Sequence, residues 1–145
     1  TYQVLSQNPR FNGVKEASGN FSLLAHTRFL CGDDFYIWSG NDDQVVPMMS
    51  LGAKGVISVA ANIVPKVMVE MTHLCLDNDI AAASKLQVEY MDLIDALFIE
   101  VNPIPIKAAM DLMGMKAGGL RLPLCDISPA HLETLRASMQ RMGLL

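Results

Sequence analysis

A chain of 145 residues with 51% hydrophobic and 18% charged side chains is too apolar for disorder and long enough to bury one core. The formal net charge of −4 and a pI near 5.2 argue against the clustered basic face that a nucleic-acid or anionic-membrane surface requires. No apolar run reaches the roughly 18 residues of a membrane span, because Asp, Glu, Lys or Pro interrupts every long stretch.

Residues 1–10 are polar and include Asn8, Pro9 and Arg10, unlike a secretory leader. Asn12 to Ala17 reads as a short strand. Asn20 is a plausible N-cap for a helix over Phe21–Cys31, with Leu23, Leu24, Thr27, Leu30 and Cys31 at helical spacing and Gly32 ending it. Phe35 to Ser39 is a second strand, rich in aromatic and β-branched residues. Asn41, Asp42 and Asp43 then offer caps and negative charge to a helix over Gln44–Leu51. Gly52 closes it, and Gly55 to Val59 makes a third strand. Pro65 sits near the first turn of a helix running to about Leu76. Three βα units with short connections predict a parallel sheet with helices outside it.

From Asp79 onward the pattern is helical. A long amphipathic stretch runs to about Glu100, followed by Ile106–Met113 and Pro129–Met142, with Asn102-Pro103-Ile104-Pro105 as a connector that no continuous helix can cross. The Gly118-Gly119 pair before Arg121 reads as loop rather than as a phosphate cradle. The ten methionines are expected to fill core. An eight-stranded barrel needs about 250 residues, so the expected fold is α/β: the last three βα units of a (β/α)8 barrel over residues 1–76, then a helical region over 77–145. Opening at Thr1 without Met or a cap, the chain is expected to be the carboxyl-terminal half of an enzyme. Its outer strands would then present unpaired edges that favour self-association.

Cys31, Cys75 and Cys125 show no C-x-x-C spacing, and His26, His73 and His131 no metal-ligand spacing. Buried, reduced thiols of a cytoplasmic protein and surface or packing histidines are the expectation, with no metal. Sequence motifs of P-loops, dinucleotide folds and nucleophile elbows are missing. The chemistry-bearing candidate is Lys15. Gly13, Lys15 and Ala17 share one strand face, so Lys15 would lie among small residues near the carboxyl end of its strand, where barrel active sites are built. An amine in an apolar surround suits Schiff-base chemistry; a solvated strand-end lysine paired with a carboxylate is the plainer alternative. Gly40, in Ser39-Gly40-Asn41-Asp42, either lets a ligand approach the backbone or serves an ordinary turn. Ile57 either lines a pocket or packs in the core.

Five segments in order, Gly13-Val14-Lys15-Glu16-Ala17-Ser18-Gly19, Ser39-Gly40-Asn41-Asp42, Gly55 to Asn62, Asn102-Pro103-Ile104-Pro105-Ile106-Lys107 and Leu120-Arg121-Leu122-Pro123-Leu124, carry a family resemblance. The chain resembles the dihydrodipicolinate synthase family of pyruvate-dependent class I aldolases, along nearly its whole length. The resemblance implies that Lys15 condenses with pyruvate and that the enamine attacks aspartate semialdehyde, on the lysine (diaminopimelate) route from aspartate. It implies that the backbone at Ile57 contacts pyruvate, that Gly40 borders the pocket, that no metal or organic cofactor is needed, and that the enzyme is a homotetramer. It also implies that the proton-relay tyrosines, a threonine pair and the carboxylate-binding arginine precede the segment matching Thr1, since Tyr2, Tyr36 and Tyr90 lie outside the matching motifs. Two other functions stay open: a non-catalytic, self-associating half-barrel module, and a sugar-acid aldolase of the same superfamily.

Overall fold

The computed structural model describes residues 1–145. A short helix α1 (Tyr2–Leu5), which the sequence did not announce, leads to strand β1 (Gly13–Glu16), helix α2 (Phe21–Cys31) and strand β2 (Tyr36–Ser39). Helices α3 (Val45–Ser50), α4 (Pro65–Leu76), α5 (Ile80–Glu89), α6 (Met91–Leu97), α7 (Ile104–Leu112) and α8 (Pro129–Arg141) follow. Single 3₁₀ turns occupy Asp42–Gln44 and Ala60–Asn62.

Strands β1 and β2 pair in parallel, with Gly13 opposite Tyr36 and Lys15 opposite Trp38. The third strand expected over Gly55–Val59 is reduced to one bridge, Ser39 with Val56. The Ser39 N–H donates to the Gly55 carbonyl and the Ile57 N–H to the Ser39 carbonyl, each at 2.8 Å. Beyond that the backbone leaves the sheet for the Ala60–Asn62 turn, so the ladder ends after its first rung.

Local chemistry explains most boundaries. The Asn20 side chain accepts the Leu23 N–H at 3.0 Å and Gly32 ends α2 at φ +75°, a region that favours glycine. Only Leu24 and Thr27 of that helix are buried; Leu23 and Leu30 stay partly exposed. Pro65 starts α4, where its missing N–H costs nothing. Pro105 enters the first turn of α7 for the same reason, so that helix begins at Ile104 rather than Ile106.

The long stretch expected from Asp79 to Glu100 is two helices meeting at Tyr90. Helix α5 packs on α3 and α4, whereas α6 packs on α7 and α8. One straight cylinder could not bury Ala83 and Gln87 against the first pair and Leu93, Ile94, Ala96 and Leu97 against the second. One core runs through both halves, from Leu24, Ile37 and Val45 to Leu97, Leu135 and Met139. Met48, Met49, Met68, Met71 and Met139 are buried in it. The cysteines differ from expectation: only Cys75 is buried, its thiol pushed up by burial, while Cys31 is half-buried and Cys125 exposed.

Candidate active site

The site begins at the carboxyl end of β1. Glu16 points inward and is 5% exposed; its carboxylate accepts the Ser18 N–H at 2.6 Å and the Tyr2 hydroxyl at 3.3 Å. Burial, reinforced by the Glu16 charge, raises the Tyr2 phenol above its ordinary value. With Glu16 fixed inward, the strand alternation turns its neighbour Lys15 to the other face. Lys15 is exposed there. It lines a cleft of about 420 Å³ with Ile57, Ser58, Asn62, Asn102 and Lys107. That volume suits a small-molecule site.

Gly40 sits where β2 ends, its N–H donating to the Glu16 carbonyl at 2.8 Å. A Cβ at this position would stand 2.6 Å from the Ala17 Cβ, 3.0 Å from the Lys15 Cε and 3.2 Å from the Lys15 Cγ. Glycine here lets the lysine stem lie directly on the neighbouring strand. The structure therefore brings Lys15 and Ile57 to one cleft and sets Gly40 against the stem of Lys15. Ile57 is 48% exposed and is no core residue. The apolar enclosure expected around the amine is only half built: Ala17 and Gly40 flank the stem, and the cleft is open. No carboxylate pairs with Lys15 as in the plainer alternative.

Sequence reasoning did not single out Asn102 and Lys107 as cleft residues, although both lie in a quoted motif. They arrive from α7 and the turn before it, far along the chain. The Lys107 ammonium donates to the Gly119 carbonyl at 2.6 Å, which ties the 114–120 loop to the cleft rim. Tyr2, Tyr36 and Tyr90 are absent from the lining. Tyr36 stacks edge-on against Trp38, with ring centroids 6.0 Å apart. A second hollow of about 400 Å³ between α7 and residues 118–127 shares Lys107 but not Lys15.

Lys15 thus stands at the carboxyl end of a parallel strand, with Gly40 of the neighbouring strand against its stem. A family model described as the dihydrodipicolinate synthetase family matches residues 1–142. The chain belongs to that family. It is 54% identical over 127 residues to the 4-hydroxy-tetrahydrodipicolinate synthase of Clostridium novyi, covering 88% of this chain and 43% of that protein. It is 51% identical over 146 residues to that of a Thermoanaerobacter species, covering 100% and 49%. The structure superposes with a TM-score of 0.94 and 33% identity on a dihydrodipicolinate synthase from Acinetobacter baumannii solved in complex with pyruvate, covering 99% of this chain and 50% of that one. The fold is thus the carboxyl-terminal part of the family's (β/α)8 barrel followed by helices. The chain spans about half the length of the relatives it matches.

Proposed function

We propose that this chain is the nucleophile-bearing part of a Schiff-base lyase that condenses pyruvate with aspartate semialdehyde in lysine (diaminopimelate) biosynthesis. The observation that carries the proposal is the shared cleft of Lys15 and Ile57, with Gly40 pressed against the lysine stem. The pyruvate complex of the Acinetobacter relative supports the choice of first substrate.

In this reading the Lys15 Nζ attacks the ketone carbon of pyruvate, and the carbinolamine loses water to give a protonated imine. Loss of a methyl proton yields an enamine, whose carbon bonds to the semialdehyde's aldehyde carbon. The aldehyde oxygen takes a proton. The semialdehyde's own amine then adds to the imine carbon, losing a proton to the Lys15 nitrogen. The Lys15 C–N bond breaks to free the lysine amine and a cyclic imine product. Gly40 and the Ile57 backbone border the pyruvate. Pyruvate itself becomes the electron sink, so no metal or organic cofactor is called for.

Each step moves a proton, and the cleft of this chain offers amines, amides and a serine but no tyrosine. Its activity alone should therefore be orders of magnitude below that of a complete site. The family assembly would be a homo-oligomer working in the cytoplasm; no helix is long and apolar enough to cross a membrane.

The test is intact-mass spectrometry after incubation with pyruvate and borohydride. One reduced pyruvate adduct, lost in Lys15→Ala, is the expected result. An adduct that survives the substitution would move the nucleophile elsewhere and overturn the assignment.

A further inference from the structure

We propose that Asp42 is a positioning residue for the Lys15 cleft: its carboxylate holds the Ile57–Val59 wall at a fixed place relative to Gly40. The proposal rests on the reading of Lys15 as the Schiff-base amine. Asp42 lies in the turn just after Gly40 and is 1% exposed. Its Oδ2 accepts the N–H groups of Val59 at 3.0 Å and Ala60 at 2.8 Å. Those are orphan donors at the start of the Ala60–Asn62 turn, so Asp42 caps a turn that belongs to another βα unit.

No other hydrogen bond ties residues 58–60 to β2 or to the turn after Gly40. The sheet ladder ends with the Ile57 N–H on the Ser39 carbonyl, and no backbone bond of residues 58–60 reaches β2. Ile57, Ser58 and Val59 all line the cleft, so the carboxylate clamps the wall where the ladder gives out. The clamp is anchored from behind. The Asp42 carbonyl accepts from Gln87 Nε2 at 2.8 Å, and Gln87 Oε1 accepts the Val46 N–H at 3.3 Å. The other carboxylate oxygen, Oδ1, is buried without a partner. Asp42 does not reach the cleft surface and acts through the wall alone.

The experiment compares the parent with Asp42→Ala, Asp42→Asn and Leu135→Ala, at a temperature where circular dichroism shows each folded. Leu135 is fully buried on α8 and its loss weakens the fold without touching the clamp. Pyruvate trapping with borohydride is measured against pyruvate concentration, and amide hydrogen exchange across residues 57–60. Asp42→Ala is expected to raise the half-saturating pyruvate at least tenfold and to speed exchange at Val59 and Ala60 at least tenfold. Asp42→Asn, which keeps an oxygen for the two N–H groups, should recover to within about threefold. Leu135→Ala should trap within twofold of the parent.

If Asp42→Ala does not fold, Asp42→Ser takes its place with the same expectations, because its short hydroxyl leaves at least one N–H unpaired. Parent-like trapping and parent-like exchange in the alanine or serine variant would overturn the proposal. An equal loss in Leu135→Ala would overturn it too, since general weakening would then suffice. Should the parent itself form no adduct, the Lys15 amine needs the rest of a complete site to react, and the exchange data alone decide whether Asp42 holds the wall.

Discussion

At the scale of single residues, the closest constraint is the contact between Gly40 and the lysine strand. A methyl group at residue 40 would meet the Ala17 Cβ at 2.6 Å, which no rotamer change can relieve, and the flexible Lys15 Cε at 3.0 Å. Gly40→Ala should therefore force the two strand ends apart and cost about 1–3 kcal/mol, the usual range for overpacking. Pairing it with Ala17→Gly removes the rigid clash but not the one on Lys15. Urea melts of the double variant should recover much of the stability, while its pyruvate trapping stays below the parent's. A single Gly40→Ala variant as stable as the parent would show that the strands do not pack this closely. The strand-end positions of Lys15 and Gly40 were legible in the sequence, whereas for Ile57, which follows a single bridge, the sequence allows either pocket wall or core. Asp42 was legible only as a cap, and as a cap of the wrong turn. Its true donors are 17 and 18 residues further on, and nothing in local spacing points there.

At the scale of elements, the helical region is tied down by two carboxylates that grip α8 near its two ends. Glu100 accepts the Ser128 N–H at 3.0 Å and lies 2.7 Å from the His131 Nδ1. Asp92 accepts from the Ser138 hydroxyl at 2.6 Å and from Arg141 at 2.7 Å. The Ser138 hydrogen bond, then Arg141, holds Asp92 below the usual carboxylate range; the Ser128 N–H, then His131, does the same for Glu100. A carboxylate whose folded value is depressed stabilises fully above its unfolded value, near pH 4, and loses that contribution as pH falls through the folded one. Stability should thus decline as the pH drops below about 4, and Asp92→Asn should flatten part of that decline. The Asp92 side chain is 55% exposed, so its share is about 1 kcal/mol or less after solvent screening. Chemical denaturation at stepped pH measures it; a variant as pH-sensitive as the parent would remove Asp92 from the account. Most of these helices were readable from caps and prolines. The break at Tyr90 was not, because no glycine or proline marks it and the cause is a change of packing partners.

At the scale of the whole molecule, the two-stranded sheet settles how the chain should behave by itself. Strand β1 pairs with β2 along one side and has no partner on the other. Helix α2, which follows it in the chain, leaves Phe29 84% exposed and Leu30 46% exposed. An open strand edge is a template for further pairing, and exposed apolar side chains add to the tendency to associate. The order of βα units was visible in the sequence, yet the third strand was not visible as a single rung, because a strand's extent depends on the neighbour it pairs with. That same dependence applies to β1, whose free N–H and C=O groups remain to be satisfied by water or by another chain. The chain alone should therefore self-associate, running above its monomer mass of 15.8 kDa in size-exclusion chromatography with light scattering. Co-expression with the amino-terminal half of a full-length relative should lower that association and raise pyruvate trapping together, since both depend on the same open face. A soluble monomer across the accessible concentration range would defeat the edge argument. Association relieved without any gain in trapping would separate the edge from the site, since one open face could not then account for both.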